Sequence, residues 1–278
     1  MAERRNTEFG DFLRTRRERL NPAAVGLPGT YRRRVPGLRR EELARLADVS
    51  PDYYTRLEQG RQTGASPAIL DALARTLRLS AEERTHLYDL ARAVDPKPSA
   101  VPASAPLSPT VRAMFEALGS TPAIACGPFA DIVAANDAAC FLYADFPAMP
   151  VSERNTIRWM LLAPVARELY GSIWEQTAAE MIGKLRLDAG RHPGDPRAAD
   201  LVAELEETSA LFQRVWREHE ISTCVQGTKT LHHARAGTLE FVSEAVTAVS
   251  DLGIVFYLMI PSNLDVFAKA LSGHHVSH

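Results

Sequence analysis

Apolar residues fall at helical spacing from the start of the chain: Phe9, Phe12, Leu13 and Leu20 form one stripe, with Arg14, Arg16, Arg17 and Arg19 around it. This predicts a helix over 9–20. The basic stretch 21–39, punctuated by Gly and Pro, reads as a loop carrying Arg32, Arg33 and Arg34. Two short helices follow, over 40–47 and 50–59; the second has Ser50 as N-cap, Pro51 in its first turn and Gly60 as its stop. Ser66 and Pro67 give the same start signal for a helix through Leu77. Ser80 with Glu83 makes a capping box that opens a last helix to about Ala93. The N-terminal part is expected to be an all-α unit of five helices.

From Val94 to Thr110 the run VDPKPSAVPASAPLSPT holds five prolines and no sustained apolar period. It can neither extend a helix nor join a sheet, so it reads as a semi-extended linker. Beyond it the period mixes. Residues 107–118 read as a helix, and 122–126 and 130–135 as two short strands. A helical block fills 137–219, with apolar positions at Trp174, Ala178, Met181, Ile182 and Leu185, and later Leu211, Phe212, Val215 and Trp216. Strand character returns over 228–234, 238–249 and 253–260, and 263–271 closes the pattern as a helix. Two strands, a helical insertion and three strands predict a five-stranded antiparallel sheet with helices on one side, an α+β layout. The expected organisation is a helical domain over 1–93, a linker over 94–110, an α+β domain over 111–272 and a polar tail over 273–278. Two cores are the natural expectation for 278 residues.

Charge sharpens this division. The net charge is −2, yet residues 1–61 hold 14 arginines against 9 acids, and residues 96–278 hold 14 basic against 20 acidic side chains. A basic head on an acidic body suits a head that binds a polyanion, although a solvated basic surface gives the same balance. No apolar run is long enough to span a bilayer, and the first residues lack the apolar core of a signal peptide. Cys126, Cys140 and Cys224 have no paired spacing, which suggests buried thiols in a reducing compartment. A cytoplasmic location with no membrane partner is expected.

The stretch RREELARLADVSPDYYTRLEQGR, 39–61, carries the most specific chemistry. Reading DNA requires one helix held firmly against another so that its outer face enters the major groove. Ala44 is small where two helices must cross closely, and Asp48 sits at the turn, where a positive φ is expected and Asp is tolerated. Val49, Tyr54 and Leu57 fall where inward-facing residues lock the second helix, leaving Arg40, Ser50, Asp52, Tyr53, Thr55 and Arg56 outward. A plain helical hairpin is the alternative; the position-by-position agreement and the flanking arginines favour DNA.

At these residues the sequence resembles the XRE-type, phage-repressor-like helix-turn-helix family. The longer run VPGLRREELARLADVSPDYYTRLEQGR, together with NTIRWMLLAPVARELY, AGRHPGDPRAADLVAEL, FQRVWREHEI and GTKTLHHARAGTLEF, resembles the subgroup with a C-terminal MmyB-like domain. The resemblance implies a PAS-like fold that holds a small hydrophobic ligand, a fatty acid being the leading type, and no further cofactor is indicated by the sequence. Asp48 departs from the more usual glycine. By the family's docking, Arg39 and Arg40 open the first helix, with Arg40 on a backbone phosphate. Ser50, Asp52, Thr55 and Arg56 then lie on the recognition helix; Arg56 suits a fork onto guanine, with Asp52 accepting from cytosine or orienting Arg56. Tyr53, Gln59 and Arg61 suit phosphate contacts. One recognition helix covers few base pairs, so a homodimer on double-stranded DNA is expected.

Ligand candidates in the second half are less specific. Arg158 and Arg167, and His219 beside Trp216, are candidates to hold a ligand carboxylate, against the alternative of surface ion pairs and a capping histidine. Trp174, Met181, Phe212 and Trp216 are core residues by default and candidate walls of an apolar cavity. His232 and His233 are adjacent on a strand and face opposite sides, which argues against a shared metal ion. Three readings of the second half remain: a ligand sensor, a dimerisation or partner-binding module, and an enzyme recruited to DNA, the last disfavoured because no nucleophile or acid–base constellation is recognisable.

Overall fold

The computed structural model describes residues 6–27, 37–62, 64–92, 106–222, 227–247 and 253–275; Arg32, Arg33, Arg34, Cys224 and most of the Pro-rich run lie outside them. Helix α1, Thr7–Arg19, begins two residues before its apolar stripe because the Asn6 side chain accepts from the Phe9 amide and caps it. The loop that follows contains a 3-10 turn, Pro22–Val25. Helices α2, Arg40–Leu46, and α3, Pro51–Glu58, come next, then α4, Pro67–Thr76, and α5, Ala81–Arg92. The capping box at α5 forms as its spacing predicts: Ser80 N–H donates to Glu83 Oε2 at 2.8 Å and Ser80 Oγ accepts from the Glu83 amide at 3.2 Å. Phe9, Phe12, Leu13, Leu43, Tyr54 and Leu87 close the core of this region. Each such burial is worth about 1.5–3 kcal/mol, far more than the propensity of helices this short.

The second region is α+β. Helix α6, Pro109–Glu116, precedes strands β1, Ala123–Cys126, and β2, Ile132–Ala135. The helical insertion follows as α7, Asp137–Leu142; α8, Thr156–Leu162; α9, Pro164–Tyr170; α10, Trp174–Arg191; α11, Pro196–Thr208; and α12, Ala210–Arg217. Strands β3, Gly227–His233, β4, Gly237–Thr247, and β5, Val255–Pro261, complete an antiparallel sheet ordered β2-β1-β5-β4-β3, and α13, Leu264–His275, ends the described chain. Five strands, antiparallel pairing and the insertion between β2 and β3 match the layout expected from the sequence.

Three details differ from the sequence-based expectation. The helices are not confined to one side of the sheet: α6 packs on the face opposite the insertion, with Phe115 against Phe256 at 5.9 Å. Strand β1 explains this, since all four of its residues are buried and alternate residues face opposite layers. Strand β2 starts at Ile132, not at 130, because Phe129 and Ala130 adopt left-handed φ values of 58° and 66° that no strand accepts. Helix α13 runs to His275, into the expected tail, with Phe267 and Leu271 buried beneath the sheet.

Candidate nucleic-acid interface and ligand cavity

Helices α2 and α3 meet across the three-residue turn Ala47, Asp48 and Val49. Asp48 takes φ 53°, the left-handed value its position requires, and the Val49 amide returns to the Ala44 carbonyl at 3.0 Å. Ala44, Tyr54 and Leu57 are fully buried, so α3 is clamped from within. Ser50 Oγ accepts from the Tyr53 amide and caps α3.

The outer surface carries the predicted side chains. Arg39, Arg40, Ser50, Asp52, Arg56, Gln59 and Arg61 are exposed, whereas Tyr53 and Thr55 are half-buried. Thr55 Oγ1 donates to the Pro51 carbonyl at 2.8 Å, and Tyr53 donates to the Gly64 carbonyl at 3.4 Å. Arg56 lies 3.4 Å from Asp52 one turn earlier, the pairing that lets Asp52 orient it. Arg39, Arg40, Asp52 and Thr55 border an open groove with Arg17.

A buried ion network beneath this surface was not apparent in the sequence. Glu58, with 1 % of its side chain exposed, accepts from Arg17 Nε at 2.5 Å and from Arg40 Nε at 2.6 Å. Burial alone pushes the Glu58 carboxyl up, but the bonds from Arg17 and Arg40 outweigh it and hold the group below its ordinary 4.5. Arg17 also donates to the Leu38 carbonyl at 2.7 Å. The network ties α1 to the end of α3 and fixes Arg40.

A cavity of about 100 Å³ lies between the sheet and the helical insertion. Its wall is apolar and aromatic, with Tyr143, Trp159, Met160, Tyr170, Met181 and Met259. Burial raises the Tyr143 phenol well above its usual range and pushes Tyr170 up to about 12, so both stay neutral. The polar lining includes Lys184, Asp188 and Lys229; Lys184 Nζ donates to Asp188 Oδ2 at 2.9 Å, and Lys229 Nζ lies 3.5 Å from Thr177 Oγ1. Burial pushes Cys126 up to about 12 and Cys140 up to about 11, so neither is a thiolate at neutral pH.

Of the seven side chains named from sequence for ligand binding, Met181 lines this cavity and the other six stand elsewhere. Arg158 is paired with Glu204 at 2.8 Å. Trp174 donates its indole N–H to the Met160 carbonyl under the Arg167 guanidinium, and Phe212 stacks on Trp216 at 5.1 Å. Trp216 and His219 lie where the two halves meet. Arg186 sits 3.8 Å over the Trp216 ring, donates to the Trp216 carbonyl and pairs with Glu8 at 3.2 Å, while Arg16 Nη2 donates to the His219 carbonyl at 2.8 Å. These residues join α1 of the helical region to α10 and α12.

A capped helical pair clamped by a left-handed turn, joined to an α+β region with an apolar-lined cavity, defines the class of helix-turn-helix regulators with an attached binding domain. A family model for a helix-turn-helix domain matches residues 8–87, and one for the MmyB-like transcription regulator ligand binding domain matches residues 107–271. The chain belongs to the MmyB-like transcription regulators and is a DNA-binding transcription regulator. No curated protein matches the chain. No helix among the described residues is long and apolar enough to cross a membrane.

Proposed function

We propose that α3 reads base edges through Ser50, Asp52, Thr55 and Arg56, while Arg39, Arg40, Tyr53, Gln59 and Arg61 hold phosphates. The supporting observation is the clamped α2–turn–α3 pair, which presents Arg39, Arg40, Asp52 and Thr55 at one open groove. The protein acts as a homodimer on a two-fold related site, since one eight-residue helix reads too little sequence for a unique address.

The cavity takes a small hydrophobic, fatty-acid-like ligand whose binding changes DNA affinity. Pockets for such molecules run to about 300–1,000 Å³, so uptake requires the wall to move. Met160, Met181 and Met259 suit that, being unbranched and adaptable. Mass spectrometry of the denatured, purified protein tests the reading. A co-purified amphiphile supports it, and its loss from a Met181→Glu variant places it in this cavity; an amphiphile retained by that variant does not occupy this cavity.

A second reading makes the C-terminal region an assembly module. It is favoured by Val242, Val246 and Ile260, each 40–43 % exposed on the sheet's outer face. Light scattering separates the two: Val242→Glu yields monomers under the second reading and leaves the assembly unchanged under the first.

A further inference from the structure

Helix α10 belongs to both halves of the molecule. Thr177, Met181, Lys184 and Asp188 line the cavity, spaced three and four residues apart on one face. Arg186, Gly190 and Arg191 meet the helical region. Asp188, 8 % exposed, stands where the two faces join. Its Oδ2 accepts from Lys184 at 2.9 Å, and its Oδ1 lies 3.6 Å from Arg191 Nη1. Arg191 Nε in turn lies 3.7 Å from Asp89 Oδ2 on α5. Lys184, Asp188, Arg191 and Asp89 form a row of alternating charge from the cavity lining to the DNA-binding domain.

Such a row has two arrangements. While Lys184 holds Asp188, the Asp188 carboxylate is satisfied and Arg191 is shared with Asp89. An anion that enters the cavity and takes Lys184 leaves Asp188 buried with its main partner gone, an arrangement strongly disfavoured in a low dielectric. Arg191 is the nearest compensating cation. It closes on Asp188 and leaves Asp89.

We propose that Asp188 and Arg191 relay the arrival of the ligand's anionic head to α5 by exchanging partners. The inference rests on the fatty-acid-like ligand reading above and adds the route. Arg186, only 3 % exposed and held against Trp216 and Glu8, anchors the same interface, so the relay loosens the contact between the halves without parting them.

The test uses the full chain with decanoate and decanol as probes, binding followed calorimetrically and α5 followed by hydrogen exchange of peptides spanning 81–92. Decanoate is expected to raise α5 exchange about fivefold or more, whereas decanol binds and leaves it unchanged. Arg191→Ala, which removes the compensating cation, is expected to bind decanoate more weakly than the parent, and Asp89→Asn, which leaves Arg191 free for Asp188, at least as tightly; both are expected to show raised α5 exchange without ligand and to respond no further. Neither residue lines the cavity. Decanoate binding with α5 unchanged overturns the relay, as does an Arg191→Ala variant that responds like the parent. Binding of decanol alone overturns it but leaves the hydrophobic-ligand reading standing. Binding of neither removes both.

Discussion

Glu58 shows how much a single residue can hide from sequence. It reads as one more acid near a helix end, yet it is buried between Arg17, 41 positions earlier, and Arg40, 18 positions earlier. No local period brings those residues together; only the packing of α1 against α3 does. Glu58→Ala leaves the buried Arg17 without its buried anion, with only the exposed Glu18 beside it, and is expected to destabilise the protein by about 3–5 kcal/mol, measured by urea unfolding at pH 7. Because the Glu58 carboxyl titrates below its ordinary 4.5 in the folded protein, its contribution is complete above that value. It is lost as the pH falls from there through the lowered folded value. An unfolding midpoint that is flat between pH 6 and 3 in the parent, or equal in parent and variant at pH 7, contradicts this.

At the scale of elements, the helix starts were legible because capping is local: Ser50, Ser66 and Ser80 each bond backbone amides within three residues. Strand β2 was misplaced by two residues because the left-handed pair Phe129 and Ala130 carries no glycine to announce it. The role of Gly190 is equally silent in sequence. A Cβ there lies 2.7 Å from His86 Cε1, and the His86 ring is itself fixed edge-on to Phe12 at 5.3 Å. Gly→Ala inside a helix normally stabilises by roughly 0.5–1 kcal/mol. Here the clash reverses the sign, so Gly190→Ala is expected to lower the Tm and widen the molecule in small-angle scattering. A raised Tm with unchanged dimensions contradicts the close approach of α5 to α10.

For the molecule as a whole, the two halves were legible to unequal degrees. The DNA-reading motif is contiguous, 39–61, so its turn, cap and inward residues could all be read in order. The cavity draws on β1, the helical insertion and β3 to β5. Its Trp159, Tyr143 and Lys229 meet only in the fold, and Trp174, Phe212 and Trp216 look equally apolar in sequence. The contact between halves also sets a pH response. Burial first, and then Arg186 and Arg16, push His86 down to about 3 and His219 down to about 4. Both are neutral in the docked form, and separation of the halves takes away part of the burial and, for His86, the Arg186 charge, which moves each back towards its ordinary 6.5. Docking is therefore strongest above pH 6.5 and weakens as the pH falls towards 4 and then 3. Scattering should show the radius of gyration growing over that interval; a constant radius down to pH 3 contradicts the burial of these rings at the interface.

The central claim, that α3 reads DNA, is tested most directly by selecting binding sites from a random duplex pool with the parent, Arg56→Ala and Arg40→Ala. The parent is expected to enrich a two-fold symmetric site with half-sites roughly 10 bp apart. Arg56→Ala should enrich the same site with one base position relaxed in each half, at a cost there of about 1–3 kcal/mol. Arg40→Ala should keep the full preference but bind more weakly, with a salt slope lower by about one phosphate contact. Enrichment of no site by the parent, or an unaltered site from Arg56→Ala, would show that this helix does not read the groove.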